Sequence, residues 1–483
     1  MTCTAAAGTC HDPVVPPVAP ETRYVTATDG TRIAYQIHGQ GRRDLLFIPG
    51  QISHLDLHWQ DPNFAEIMTA LGTFARVIAI DRRGVGLSDR ISPDDLPPVE
   101  VLVSDVAAVL DEVRSLDAVI IGLDEGAQIG VLFAATHPER LTGLILHGMS
   151  PSGVPRPDMP WVTPHEEIEG WLEWSVARYG SRDQAVLDMQ EASPSRAGDE
   201  EYITWLSSMY RYGASPSAFV ALYRMSMQLD VTEVLPAVHT PTLVLHSTGD
   251  RVVPIDAARF VASALPSARL EEIPGDDHFP SSADTRRFIE LIREFVGAPR
   301  ERVDATRRLA TLLFTDIVGS TSVAAELGDS TWKAVVEKHH AVVRAALSEF
   351  RGVEVDTAGD GFFATFDGPA AAVRCATTIV EAVRPLGIQV RAGVHTGEVE
   401  SIAGKAGGMA VVIGARIGAI AGPSEVLTSQ TVKDLTVGSG LAFEDAGEHE
   451  LKGVPDRWHL HRVVDPLAAT HPDGSDSLRS AGT

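Results

Sequence analysis

Between residues 21 and 297, short apolar runs alternate with stretches of helical periodicity, and this alternation constrains the fold most. The runs are LLFIPG at 45–50, RVIAID at 76–81, AVIIG at 118–122, LTGLILHG at 141–148 and TPTLVLHSTGD at 240–250. Runs that are apolar throughout, rather than at every second residue, belong to strands buried on both faces. The helices between them supply the cover, so the pattern predicts a parallel sheet between two helical layers. From about 151 to 235 the strands vanish and Trp161, Trp171, Trp174 and Trp205 accumulate, which predicts a helical cap inserted between strands. Residues 298–308, APRERVDATRR, form a charged connector too short to decouple the two segments that it joins. Residues 1–20 and 466–483 are rich in Pro, Ala, Gly, Ser and Asp and are expected to be disordered tails. The expected division is therefore 21–297, a linker at 298–308, and a second domain at 309–465.

In the first domain, GLDEG at 122–126 follows a strand and precedes the helical run Ala127–Thr136. A small-x-nucleophile-x-small turn forces its middle side chain out of the sheet, and the glycines permit the strained backbone. The layout and this turn resemble the α/β-hydrolase fold with a helical cap. The resemblance implies Asp124 at the nucleophile position, where serine is commonest, with Asp250 after TLVLHS and His278 in GDDHF as its triad partners. By position, the oxyanion donors would be the backbone N–H groups of Gln51 and Glu125.

Asp124 has two readings. As a nucleophile it would attack carbon to form an ester, and His278 would activate the hydrolysing water, as in epoxide hydrolases and haloalkane dehalogenases. Glu125 stands where the dehalogenases carry a halide-binding tryptophan, which argues against that version. Epoxide chemistry would need cap tyrosines drawn from Tyr179, Tyr202, Tyr210, Tyr212 or Tyr223. In the other reading the fold has lost catalysis and binds an unidentified small molecule, because adjacent acids at 124 and 125 would raise one pKa and weaken the nucleophile.

The second domain opens with TLLFTDIVGSTS at 311–322, followed by VDTAGDGFFATF at 355–366. Leu309 to Phe314 reads as a buried strand that breaks at Asp316 into a turn with Gly319, Ser320 and Thr321. Val353–Thr357 and Phe362–Phe366 read as a hairpin turning at Gly359-Asp360-Gly361. Carboxylates at the ends of neighbouring strands suit hard divalent cations, which take oxygen ligands and clamp a polyphosphate. The loop after Asp316 would offer backbone N–H groups to phosphate before the next helix.

With RAGVHTGEVE at 391–400, GGMAVVIGARIGAIAGPSEVLTS at 407–429 and GEHELKGVPDRWHLHRV at 447–463, these segments resemble a class III nucleotide cyclase domain. The resemblance implies an α+β, ferredoxin-like fold that converts ATP, or alternatively GTP, to the 3′,5′-cyclic nucleotide and pyrophosphate. It implies two Mg²⁺ or Mn²⁺ ions per site, held by Asp316, Asp360 and the Ile317 backbone. Ile317, Val318 and Gly319 would cradle phosphate, Arg391 and Lys452 would contact the phosphates, and Arg416 would stabilise the pentavalent phosphorus. Three positions depart from the family. The adenine-reading lysine maps to Asp356, its aspartate partner to Lys405, and the transition-state asparagine to Val412. Val412 and Arg416 are i and i+4 and share a helix face, but valine cannot hydrogen-bond the ribose, which predicts slow turnover. An acid at 356 and a cation at 405 complement guanine better than adenine; the alternative is that neither touches the base. One such domain per chain implies a homodimer with composite sites. A hydrolase-like domain followed by a cyclase domain also resembles a group of mycobacterial-type adenylate cyclases.

The balance of 40 basic and 65 acidic residues gives a formal charge of −25, which argues against nucleic acid or an anionic membrane surface as a partner. The N-terminus lacks a basic segment followed by an apolar one, and no run of 18 apolar residues predicts a membrane span. Cys3, Cys10 and Cys375 form no disulfide or zinc pattern, which points to a reducing cytoplasm.

Overall fold

Runs that are apolar throughout leave no face for water, and in a computed structural model they form the middle of a covered sheet. The structure describes residues 19–94, 96–280, 285–297, 307–402 and 405–464. Nearly all of the expected tails and residues 298–306 of the connector lie outside these. Eight strands form the first sheet: β1 (Arg23–Thr26), β2 (Arg32–His38), β3 (Arg43–Ile48), β4 (Ala75–Ile80), β5 (Ala118–Leu123), β6 (Leu141–His147), β7 (Thr242–Ser247) and β8 (Ala268–Ile273). Their order is β1-β2-β4-β3-β5-β6-β7-β8, antiparallel at the β1 edge and parallel from β4 to β8. Two separate apolar clusters, one around Phe133 and Leu46 and one around Phe47 and Leu245, pack against the sheet. Between β6 and β7 the chain forms four helices, His165–Ala177, Arg182–Ala192, Glu200–Gly213 and Pro216–Ser226.

The second sheet contains β9 (Arg307–Ile317), β10 (Val353–Ala358), β11 (Gly361–Phe366), β12 (Val390–Ile402), β13 (Lys405–Gly407), β14 (Val426–Ser429), β15 (Ala442–Glu450) and β16 (Arg457–Val464). Its order is β10-β11-β9-β12-β14-β16-β15, with β13 paired to β12. Helices Asp329–Glu349 and Pro369–Ala382 bury Val343, Leu347, Val373 and Ile379 in the core beneath this sheet. Both units are α/β assemblies. The β9 strand starts at Arg307, so the last two residues of the expected connector are already in the sheet. It also runs through Asp316 to Ile317, where a turn was expected. Pairing with β11 and β12 on both sides keeps the backbone extended past the end of the apolar run.

The two sheets share packing. Leu309 of β9 and Leu435 belong to the same buried cluster as Leu102, Leu132 and Phe133 of the first unit. Glu100, in the first turn of the Val99–Glu112 helix, accepts hydrogen bonds from the Ala370 and Ala371 N–H groups at 3.0 and 3.3 Å. Those N–H groups begin the Pro369–Ala382 helix, whose own N-cap, Gly368, has no side chain to offer. A carboxylate at that position satisfies orphan donors and meets the positive end of the helix dipole. Among the described residues, no helix is long and apolar enough to cross a membrane.

Candidate functional site

Asp124 joins β5 to the Glu125–Thr136 helix at φ +48° and ψ −118°, a conformation that costs a non-glycine residue energy. Close backbone approach makes room for it: a Cβ on Gly126 would lie 2.3 Å from the Ile48 carbonyl oxygen, and one on Gly50 2.4 Å from Asp124 Oδ2. The strained turn lifts Asp124 toward His278. His278 Nε2 is 2.7 Å from Asp124 Oδ1, and His278 Nδ1 is 2.7 Å from Asp250 Oδ2. The three residues read from the sequence as a triad therefore lie in one hydrogen-bonded line.

The electrostatics differ from those of a serine triad. Burial by itself would lower the His278 pKa, but the Asp124 and Asp250 carboxylates outweigh it and raise it to about 10. In the free protein the two carboxylates thus favour the protonated imidazole, and an ester on Asp124 would remove the first of them. Glu125 is also buried, and burial pushes its carboxyl up, opposed by the charge of Arg82. Arg82 donates from Nε and Nη2 to the Gly50 carbonyl at 3.1 and 2.6 Å. The Glu125 Oε2 atom is buried without a hydrogen-bond partner.

Above Asp124 lies a cavity of about 260 Å³. Its walls are aromatic, with Phe64, Trp171, Trp205 and Phe219 prominent. Of the five cap tyrosines, Tyr202 and Tyr210 line it. The Tyr210 hydroxyl donates to Asp188 at 2.6 Å, and the Arg196 guanidinium sits 3.5 Å above the Tyr202 ring. His58 is on the same wall, stacked on Phe64 at 4.4 Å, and both of its ring nitrogens are buried without a hydrogen-bond partner. Buried polar atoms in a native protein normally have partners, so this bare imidazole is an exception to the rule. No motif announced His58, since its significance lies in the partner it lacks.

In the second sheet, the register decides the site. Arg391 of β12 faces Asp316 of β9 directly. Its Nη2 and Nε lie 2.7 and 3.2 Å from Asp316 Oδ2, and its Nη1 donates to the Ala419 carbonyl at 2.7 Å. Asp360, in the two-residue turn between β10 and β11, accepts from the Ile317 N–H at 3.3 Å. His340 holds that turn through the Gly359 carbonyl at 3.0 Å, a support that sequence reading missed. Asp316, Ile317 and Asp360 thus meet at one sheet end as an all-oxygen donor set of the kind hard cations take. Among the described residues no group of three or more His, Cys, Asp and Glu gathers to hold an ion.

Part of the expected phosphate cradle is otherwise engaged. The Ile317 N–H serves Asp360, and the Val318 N–H donates to the Gln389 carbonyl at 2.8 Å. Gly319, at φ +65°, leads into the Ser320–Leu327 helix, which has no side-chain cap. Val412 and Arg416 lie on the exposed side of the Met409–Ile420 helix, and Arg416 Nε donates to the Lys452 carbonyl at 3.1 Å. Asp356 is exposed on β10, while Lys405 begins β13; β11, β9 and β12 lie between them in the sheet order.

Comparison with known proteins agrees with both halves. Residues 45–282 match the family described as alpha/beta hydrolase fold, and residues 304–463 match the adenylate and guanylate cyclase catalytic domain. The chain joins an α/β-hydrolase domain to a nucleotide cyclase domain. The hydrolase domain is 28% identical over 264 residues to a non-heme haloperoxidase of Rhodococcus erythropolis, covering 53% of this chain and 92% of that one. An esterase structure from Exiguobacterium antarcticum superposes with a TM-score of 0.50 at 19% identity, over 57% of this chain and 99% of that one. The adenylyl cyclase CyaB of P. aeruginosa covers 33% of this chain and 95% of its own, at 19% identity and a TM-score of 0.31. The cyclase domain belongs with the nucleotide cyclases, which are lyases, and the class generally uses divalent metal.

Proposed function

We propose that this protein makes a 3′,5′-cyclic nucleotide and pyrophosphate from ATP, with GTP as the alternative purine substrate, and that its hydrolase domain is a ligand-binding regulator. The observation that carries this is the meeting of Asp316, Asp360 and Arg391 across β11, β9 and β12, with Ile317 N–H 3.3 Å from Asp360 and Arg391 2.7 Å from Asp316. Asp316, Asp360 and the Ile317 backbone would hold two Mg²⁺ or Mn²⁺ ions, which supply charge neutralisation at the α-phosphoryl oxygens and activation of the ribose 3′-oxygen. Arg391 occupies the Asp316 oxygen that a cation would claim, so it is poised to swing onto a phosphate. Gly319 and the following helix start orient the phosphates through backbone N–H groups. Lys452 meets the polyphosphate. Arg416 is anchored at Nε, which leaves the outer end of its guanidinium for charge developing on the α-phosphoryl group. Val412 offers the ribose no hydrogen bond, so the transition state loses one positioning contact. Asp356 and Lys405 are the candidates for reading the purine.

Arg416 and Lys452 would act on the nucleotide held by the Asp316, Asp360 and Arg391 of a second copy. Met409, Val412 and Ile420 are 54%, 39% and 42% exposed on the helix that carries Arg416, an apolar face suited to such a homodimer. The hydrolase domain would bear on this site through packing. The Glu125–Thr136 helix starts at the elbow, and its far end shares a buried cluster with Leu309 of β9, the strand that carries Asp316. A second reading, catalysis at Asp124, is favoured by the intact elbow and triad. A mass increase on Asp124 after incubation with styrene oxide would establish it.

The cyclase reading is tested by incubating the purified full chain with Mn-ATP and with Mn-GTP and assaying both cyclic products. Cyclic product from at least one purine, lost in Asp316→Ala, is expected. No product from either, with wild type and variant alike, overturns it.

A further inference from the structure

Resting on the ligand-binding reading of the hydrolase domain, we propose that its cavity takes a small organic amine, with the ammonium group on the Asp124 carboxylate and an apolar body among the aromatic walls. Charge balance is the first argument. Around the elbow, three acids, Asp124, Glu125 and Asp250, face two cations, His278 and Arg82. The neighbouring His147 and His246 stay neutral because burial lowers both. Asp124 and the His278 charge that it sustains cancel, which leaves Glu125 and Asp250 against Arg82. An unmatched buried charge is costly, so either a proton on Glu125 or a cation from outside must offset it. The Asp124 side chain is 23% exposed and lines the cavity, so a ligand can reach it.

The second argument is the wall. The neutral His58 ring lines the same wall, stacked on Phe64, with both of its nitrogens buried. Burial, helped by His54, lowers its pKa to about 3, so it does not compete as a cation. Trp171, Trp205 and Phe64 add aromatic surface of the kind that attracts a cation. An anionic ligand finds no comparable welcome. Arg196, the cation on the cavity wall, is already paired with Asp61 at 3.0 Å and Asp199 at 3.2 Å.

The test is calorimetric titration of the full chain with three probes of one shape: 2-phenylethylamine, 2-phenylethanol and phenylacetate. The amine is expected to bind at least about tenfold more tightly than the alcohol, and phenylacetate not at all. In Asp124→Asn, which keeps the shape and removes the charge, the amine's advantage should vanish while the alcohol still binds. An unchanged unfolding temperature shows that the variant folds. Alcohol or carboxylate binding as tight as the amine, or an amine preference that survives Asp124→Asn, overturns the amine class but leaves a ligand-binding domain. No binding by any probe at millimolar concentration overturns the proposal and the ligand-binding reading together.

Discussion

Asp124 brings a charge to a position where a serine would bring a hydroxyl, and the consequences spread through its neighbours. His278 responds first. Its folded pKa, about 10, lies above the ordinary 6.5, so protonated His278 favours the fold. That contribution is complete below pH 6.5 and is lost as pH rises toward 10. The unfolding free energy should therefore fall across this window more steeply in wild type than in His278→Gln, measured by urea denaturation at a series of pH values. In the cyclase domain the decisive residues are Asp360 and Val412. Asp360→Asn should cut cyclic-product formation by about a hundredfold or more, because a neutral amide is a poor ligand for a hard cation. Val412→Asn should raise kcat by about tenfold by restoring a ribose contact. Asp124, Asp250 and His278 were legible because the fold fixes their order along the chain. His58 and the Glu125–Arg82 pair were not, since neither burial nor a missing partner leaves a trace in a linear pattern.

At the scale of elements, strands are set by their neighbours as much as by their own residues. The apolar run of β9 ends at Phe314, yet β11 and β12 keep it extended through Ile317 and turn Asp316 toward Arg391. The GLDEG turn and the hairpin around Asp360 were readable locally, because their glycines and acids state the backbone geometry. The engaged N–H groups of Ile317 and Val318 depend on partners in distant segments and could not be read that way. Glu100 is a further case, a cap supplied to one domain's helix by the other domain. Glu100→Ala should cost about 1 kcal/mol of stability, the usual loss for a helix cap, while Glu100→Gln keeps part of it. Denaturant midpoints of the two variants check this. If the hydrolase domain regulates through this contact and β9, Glu100→Ala should also weaken any effect of a bound amine on cyclase rate.

For the molecule as a whole, the alternation of apolar runs and helices was enough to anticipate the first sheet, and the ordered series of cyclase-like motifs the second. How the two would sit together was not, since the linker's composition says nothing about the surfaces on either side of it. With Leu309 and Leu435 in the hydrolase core and Glu100 on a cyclase helix, neither domain has a complete surface of its own. The two parts should then lose structure in a single cooperative step. A calorimetric scan of the full chain should give one endotherm whose van't Hoff and calorimetric enthalpies agree for the folded unit. Excision of the cyclase domain at residue 307 would lay bare Leu309 and Leu435 and leave the fragment prone to association. What looks like two modules joined end to end would behave, on heating, as one body.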